Sequence, residues 1–431
     1  MADGTIKQLN PFTDTEVWSV PGRSSRPILR EQPVASFDIT DEDRRGFCSF
    51  CETRILETPP EKARVILNSS GQVEELRHVM PEEYPLTHWL FRRVPNLFEI
   101  VTVDYWKKNY AYVLTEPNLK WKEAYLSSPA GRDHVVQILD YKLRANGLSE
   151  NRLAGITEEE KLSLSDAFFG GGHELIIASP HFAREGNHGS QLFSSGEMTA
   201  EEHFQYFKFT VSAMQDIFQS NHYVRYISVF QNWLAPAGAS LDHLHKQLVG
   251  LDDWGASIRH QIDMLRHDAN VFNEFAANLS AMHNLVFAEN EHAIAFVGIG
   301  HRNPTLEIFS KSRAARPYEH SPEELRGVSD LVHACHAAMS SKISCNEEWY
   351  YSPIDSVNKM PWHVLIKWRV NTQAGFEGGT SIYINPIAPH ELRDKMVPRL
   401  FLMREEGKID RSMRIAEECH IYPNPLRYYL D

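Results

Sequence analysis

Thr199-Ala200-Glu201-Glu202-His203-Phe204-Gln205-Tyr206-Phe207 opens the stretch whose reading decides the fold. A threonine followed three residues later by glutamate is a capping box, in which each side chain satisfies an orphan backbone N–H at the start of a helix. Phe204, Phe207, Val211, Met214 and Phe218 then recur at helical spacing and make one apolar face. Upstream, Glu174-Leu175-Ile176-Ile177-Ala178 reads as a buried strand, and downstream the segments 224–230 and 241–249 read as two more. The turn-rich Ala235-Pro236-Ala237-Gly238-Ala239-Ser240 joins those two.

The same order returns in the second half of the chain. Ser321-Pro322-Glu323-Glu324 is another capping box, with proline at the first helical position, where its missing N–H would be unpaired anyway. Leu325, Val328, Val332, Cys335 and Met339 repeat the apolar stripe; a strand at 293–297 precedes it, and Trp349-Tyr350-Tyr351 and 362–368 follow. A strand, helix, strand, strand unit used twice predicts a duplicated α+β fold with mostly antiparallel sheets flanked by helices. The cluster Asp252-Asp253-Trp254-Gly255 breaks the periodicity, which divides the chain into 1–250 and 251–431. Residues from about 104 to 169 read as a mostly helical insertion in the first half, with a third capping box at Thr157 and Glu160.

A chain of 431 residues with 42% hydrophobic and 11% aromatic content can bury one large core or two ordinary ones. No apolar run reaches the length of a membrane span, and the first residues lack the layout of a secretory signal, so a cytoplasmic, soluble protein is expected. Five cysteines, with only Cys48 and Cys51 close together, argue against a disulfide framework. The balance of 44 basic against 57 acidic residues, net −13, speaks against a nucleic-acid partner. A small anion remains compatible, with Arg23, Arg26, Arg92 and Arg93 as the candidate cations.

Alternation along a strand puts His243, His245 and Gln247 on one face and Leu244, Lys246 and Leu248 on the other. An imidazole is a usable nucleophile toward phosphorus near neutral pH, and a glutamine can donate an amide hydrogen to a phosphate oxygen without acting as acid or base. Gly238 permits close backbone approach, and the Ser240 hydroxyl can bind an oxyanion. Two histidines on a strand can equally fill a polar edge. Cys48-Ser49-Phe50-Cys51 has the spacing of half a tetrahedral zinc site, and on spacing alone two buried reduced thiols are as good a reading. His333, Cys335 and His336 do not share a helical face well, which favours a packed helix over a metal site.

Read as a whole, Ala237-Gly238-Ala239-Ser240-Leu241-Asp242-His243-Leu244-His245-Lys246-Gln247 resembles the active-site segment of the galactose-1-phosphate uridylyltransferase-like (GalT-like) branch of the histidine-triad superfamily. In that branch glutamine replaces the third histidine, as at Gln247, and the middle histidine is the covalent nucleophile, here His245. Asn232 matches an asparagine ahead of the segment. Phe47-Cys48-Ser49-Phe50-Cys51-Glu52 with Thr58-Pro59-Pro60-Glu61 looks like the family's zinc knuckle, which implies a structural zinc ion held by Cys48, Cys51, His181 and His243. Pro21-Gly22-Arg23-Ser24-Ser25-Arg26-Pro27 is similar to an N-terminal arginine stretch, and Arg93-Val94-Pro95-Asn96-Leu97-Phe98 to a stretch beside the nucleotide. Ala374-Gly375-Phe376-Glu377-Gly378-Gly379-Thr380, taken alone a surface loop, is similar to the segment that meets the hexose, with Glu377 as acceptor for sugar hydroxyls.

The resemblance implies tandem histidine-triad-like halves and a nucleotidyltransferase. The enzyme would pass a nucleoside monophosphate from a nucleoside diphosphate sugar, through His245, to a sugar 1-phosphate or to inorganic phosphate. Arg23, Arg26, Asn96, Asn232, Gly238 and Glu377 would bind substrate; family members are often homodimers. Three departures stand out: the long insertion, Lys246 where small residues are common, and a second-half strand with the single His363 in Pro361-Trp362-His363-Val364-Leu365. That half is expected to be silent and to lack the second metal of some relatives. The rival reading is a zinc-containing nucleotide- or partner-binding protein whose chemistry has lapsed.

Overall fold

The computed structural model describes residues 1–21 and 37–430. In chain order its strands are β1 (Ile6–Leu9), β2 (Glu16–Ser19), β3 (Ala63–Leu67), β4 (Val73–Arg77), β5 (Trp89–Pro95), β6 (His173–Ala178), β7 (Tyr226–Trp233), β8 (His245–Leu251), β9 (Val286–Glu289), β10 (Ala293–Val297), β11 (Thr305–Ser310), β12 (Cys345–Tyr350), β13 (His363–Trp368), β14 (Ile382–Ile384) and β15 (Arg414–Ile415). β1, β2 and β14 form a small sheet. The other twelve form one antiparallel sheet in the order β15-β9-β10-β11-β13-β12-β7-β8-β6-β5-β3-β4. The duplication is visible in that order: outward from the central β7–β12 pair run β8, β6, β5, β3, β4 on one side and β13, β11, β10, β9, β15 on the other.

The two capped helices occupy equivalent places. Ala200–Ser220 joins β6 to β7, and Pro322–Ala338 joins β11 to β12. Both capping boxes form, with Thr199 accepting from the Glu202 N–H and Ser321 from that of Glu324, each at 3.2 Å. The helices pack on each other over the middle of the sheet, so one core runs through both halves, with Phe207, Met214, Val328, Trp349 and Trp362 all buried in it. His333, Cys335 and His336 lie inside that helix packing, as a filled interior rather than a metal cluster.

The insertion between β5 and β6 consists of six helices from Val103–Tyr110 to Asp166–Gly170, packed around Trp121, Tyr125, Ile138, Leu139 and Phe169. It returns the chain to the sheet directly at His173. Two sequence expectations are corrected. The strand expected over 241–249 begins only at His245, because the preceding residues bend away toward the cysteine knuckle. The glycine-rich stretch read as a loop is a short helix, Gly375–Thr380, in which the Glu377 carboxylate accepts from the Ala374 N–H at 2.9 Å.

Lys246 points away from the His245 face into the helix-covered core. Its ammonium is fully buried, bonded to Glu347 at 2.5 Å and set over the rings of Tyr206 and Phe207. Glu347 also takes bonds from His336 at 2.9 Å and Trp349 at 2.7 Å. Lys246→Met should therefore destabilise the fold by about 3–5 kcal/mol, because it strands a buried carboxylate. Denaturant unfolding checks this, and the charge-free double variant Lys246→Met/Glu347→Gln should recover most of the loss.

Candidate active site and metal centre

Cys48 and Cys51 sit on a tight turn closed by the Cys51 N–H bond to the Cys48 carbonyl, which aims both sulfurs the same way. His181 arrives from just beyond the end of β6 and His243 from just before β8. The four ligand atoms lie within 4.8 Å of one another. A tetrahedral zinc ion, with bonds of about 2.3 Å to sulfur and about 2.0 Å to nitrogen, requires edges of about 3.8 Å between sulfurs, about 3.5 Å from sulfur to nitrogen and about 3.3 Å between nitrogens. The corresponding separations are 3.7 Å for the sulfurs, 3.4–3.7 Å from sulfur to imidazole Nδ1, and 3.2 Å between the two Nδ1 atoms. The donors are thus at the corners of a tetrahedron of metal-site size. The Cys51 thiol is held well below its ordinary range by the Cys48 thiol and then by the two imidazoles; the same bond to Cys51 pushes Cys48 up.

His243 links this centre to the candidate nucleophile. Its Nε2–H donates to the Ala178 carbonyl at 2.7 Å, which leaves the Nδ1 lone pair free to bind a metal ion. Its own carbonyl accepts from His245 Nδ1 at 2.7 Å. A carbonyl can only accept, so His245 carries its hydrogen on Nδ1 and its lone pair on Nε2. Phe50, from the knuckle, sets its ring edge against His245 at a centroid distance of 5.3 Å. Burial pushes the His245 imidazole down to about 4, so the ring is neutral at pH 7.

Gln247 lies two residues further on the same face, and antiparallel pairing places Ile177 opposite His245 and Leu175 opposite Gln247. Asn96 and His173 close in on its side chain: Gln247 Oε1 is 3.1 Å from His173 Nε2 and 3.5 Å from Asn96 Nδ2. On the other flank, Asn232 on β7 accepts from Asn346 on β12 at 2.8 Å, and Asn346 also bonds the Ala237 carbonyl. This pins the turn that carries Gly238 and the exposed Ser240. Gly238 has φ +90°, a conformation glycine adopts without strain.

The remaining sequence candidates lie elsewhere. Arg23 and Arg26 fall outside the described residues. Arg92 and Arg93 are buried structural cations rather than a cleft for anions: Arg92 pairs with Glu61 and Thr58, and Arg93 with Glu174 and Asp216. Glu377 belongs to the segment leading into β14, on the small sheet, and does not join the group around β8. No role is legible in the sequence for His173 in Gly172-His173-Glu174, for Phe50 within the knuckle, or for Asn346. His173 had a signal in its place at the start of a strand, but only pairing with β8 reveals what it faces.

The second half repeats the backbone device without the chemistry around it. His363 opens β13 as His245 opens β8, and its Nδ1 bonds the Pro361 carbonyl at 2.9 Å. Pro361, however, stands in the place of His243, and Leu365 in that of Gln247. The His363 ring is stacked between Phe309 and Tyr350, at 4.3 and 5.2 Å. Among the described residues the one cluster able to hold a metal ion is that of Cys48, Cys51, His181 and His243.

The fold is shared with solved ADP-glucose phosphorylase and GalT-like proteins. An ADP-glucose phosphorylase from Arabidopsis thaliana, solved with bound ADP-glucose, matches over 91% of this chain and 98% of its own, with a TM-score of 0.58 and 18% identity. A GalT-like protein from the same plant gives 0.55 and 18% over the same shares. A curated ADP-glucose phosphorylase of Arabidopsis thaliana is 24% identical over 182 residues, 40% of this chain, so the match spans about half (52%) of that relative's length. Residues 1–428 match the family described as a domain of unknown function, DUF4921, and the chain belongs to it.

Proposed function

We propose that this protein is a nucleotidyltransferase acting on a nucleoside diphosphate sugar by double displacement through His245. The observation that carries the reading is the His245 imidazole, whose Nδ1–H is fixed on the His243 carbonyl so that Nε2 bears the lone pair. Nε2 attacks the α-phosphorus, the bond from that phosphorus to the oxygen bridging the two phosphates breaks, and a sugar 1-phosphate leaves with the electron pair. The ring becomes cationic as it is nucleotidylated, and the His243 carbonyl stabilises that charge through the Nδ1–H bond. An acceptor phosphate oxygen then attacks the same phosphorus, and the P–N electrons return to Nε2.

Gln247 would donate to a non-bridging phosphate oxygen, with Ser240 and the Gly238 backbone on the other side of the phosphates. Asn96 and Asn232 would frame the nucleotide, and Arg23, Arg26 and Glu377 remain substrate-binding candidates. In a homodimer the segment of Glu377 can be supplied to the site by a second copy. The knuckle would hold a structural zinc ion: four protein ligands leave no position for substrate, and the ion's contribution is to lock Cys51, and hence Phe50, and His243 in place. Residues 1–250 would be the catalytic half and 251–431 a silent half that completes the sheet and anchors the phosphate turn through Asn346. The relatives' name makes ADP-glucose and inorganic phosphate the first pair to try, with UDP-glucose and a hexose 1-phosphate the second.

Isotope exchange tests the scheme. Labelled glucose 1-phosphate should enter ADP-glucose or UDP-glucose with no other acceptor present, as a double displacement requires. Absence of exchange with either nucleotide, in protein that is folded and metal-loaded, would refute it.

A further inference from the structure

The two ends of a glutamine amide are chemically opposite, and only one orientation of Gln247 offers hydrogens to a phosphate oxygen or a nucleotidyl-histidine. The structure contains a device that selects it. The main-chain N–H of Ile100 donates to His173 Nδ1 at 3.0 Å. A backbone N–H cannot accept, so in the neutral ring Nδ1 bears the lone pair and Nε2 the hydrogen. His173 is 1% exposed, and burial lowers its pKa, which keeps the ring neutral. Its Nε2–H then meets Gln247 Oε1 at 3.1 Å.

Asn96 converges on the same oxygen. Its Oδ1 accepts from the Phe98 N–H at 2.9 Å, which fixes its own amide, and its Nδ2 lies 3.5 Å from Gln247 Oε1 and 3.1 Å from His173 Nε2. With Nε2–H on His173, the flipped glutamine would set its own N–H against that N–H at 3.1 Å, so the His173 donor selects the orientation, and Asn96 at 3.5 Å adds a weaker contact to the same oxygen. The Gln247 amide hydrogens are left without a hydrogen bond among the described residues, on the strand face shared with His245.

We propose that His173 is a positioning residue for nucleotidyl transfer: its Nε2–H, directed by the Ile100 main chain, holds Gln247 so that the amide hydrogens face the bound phosphate. This rests on the transfer reading above. It also gives the helical insertion a connection to the site, since Ile100 stands where the chain leaves β5 for the insertion and His173 where it returns.

Two side-chain mimics separate the roles of the ring. In His173→Gln the amide NH2 falls near Nε2 and can still donate to Gln247, whereas in His173→Asn the polar group falls near Nδ1 and cannot reach it. Formation of the His245 adduct from ADP-glucose or UDP-glucose should slow roughly 10- to 100-fold in His173→Asn and His173→Phe, and stay within a few-fold of wild type in His173→Gln. In a Gln247→Ala background, His173→Phe should change the remaining rate less than about 2-fold. Equal losses in both backgrounds, or His173→Asn and His173→Gln behaving alike, would overturn the proposal and leave His173 a packing residue.

A readout independent of transfer keeps the two readings apart. In protein carrying ¹⁵N-labelled histidine, the His173 resonances, assigned by their loss in His173→Gln, should show the Nε2–H tautomer at pH 7 and shift in Gln247→Ala. The opposite tautomer sinks the positioning role whatever the activity. The expected tautomer with no adduct in the wild-type protein sinks the transfer reading, and the positioning role in transfer with it.

Discussion

His245→Ala should abolish nucleotide exchange, with a loss of at least about 10⁴-fold, while the protein stays folded and keeps its metal. The alanine removes the lone pair that the His243 carbonyl orients toward substrate, and among the described residues no neighbour offers an equivalent one: the His173 lone pair is taken by the Ile100 N–H, Ser240 is a hydroxyl, Gln247 has no nucleophilic atom, and Lys246 is on the opposite side of the sheet, bonded to Glu347. The four candidate metal ligands are untouched, because His243 keeps its bonds to Ala178 and to the cysteine cluster. Exchange kinetics with labelled glucose 1-phosphate, metal analysis and thermal unfolding on the same preparation check all three parts. Residual exchange within about 100-fold of wild type would show that another group is nucleotidylated.

Cys48→Ser should empty the metal centre and destabilise the first half by several kcal/mol, since a structural zinc site can contribute about 10 kcal/mol of binding free energy that the unfolded chain lacks. The loss has a defined path. Phe50 rides on the turn between the two cysteines and supports the His245 ring, and Phe50, Ile55, Leu175 and Ile177 share one apolar cluster under the knuckle. With one thiol gone and no ion, this turn is held by the Cys51 N–H bond to the carbonyl of residue 48 and by its apolar neighbours, so exchange should fall along with stability. Metal content and the unfolding midpoint are the measurements; metal content equal to wild type would remove Cys48 from the ligand set.

How much of this was legible in the sequence follows from the range of the interactions. Capping boxes and helical stripes act within one or two turns, and both central helices start where Thr199 and Ser321 say they should. The order of elements showed the duplication, but not that β7 and β12 pair to make a single sheet, because strand partners 114 residues apart, such as Asn232 and Asn346, leave no local periodicity. Arg92 and Arg93 looked like free cations for the same reason: their acids, Glu61, Glu174 and Asp216, come from other parts of the chain. The helix at Gly375–Thr380 was hidden by three glycines and is closed by Glu377 capping its own first turn.

At the site, the histidine pair, the glutamine and the cysteine turn were readable as a pattern, and His181 only through resemblance. The structure brings Cys48, Cys51, His181 and His243 to one point, with His245 beside them. His173 stayed unreadable in role, since its tautomer is decided by a main-chain N–H at Ile100, on the far side of the insertion.

The most direct test is the intact mass of the protein after mixing with ADP-glucose or UDP-glucose and quenching in base, which preserves a phosphoramidate. The account predicts a gain of one nucleoside monophosphate in the wild-type chain, none in His245→Ala, and discharge of the adduct on adding phosphate or a sugar 1-phosphate. A folded, metal-bearing wild-type protein that gains no mass with any sugar nucleotide would contradict it.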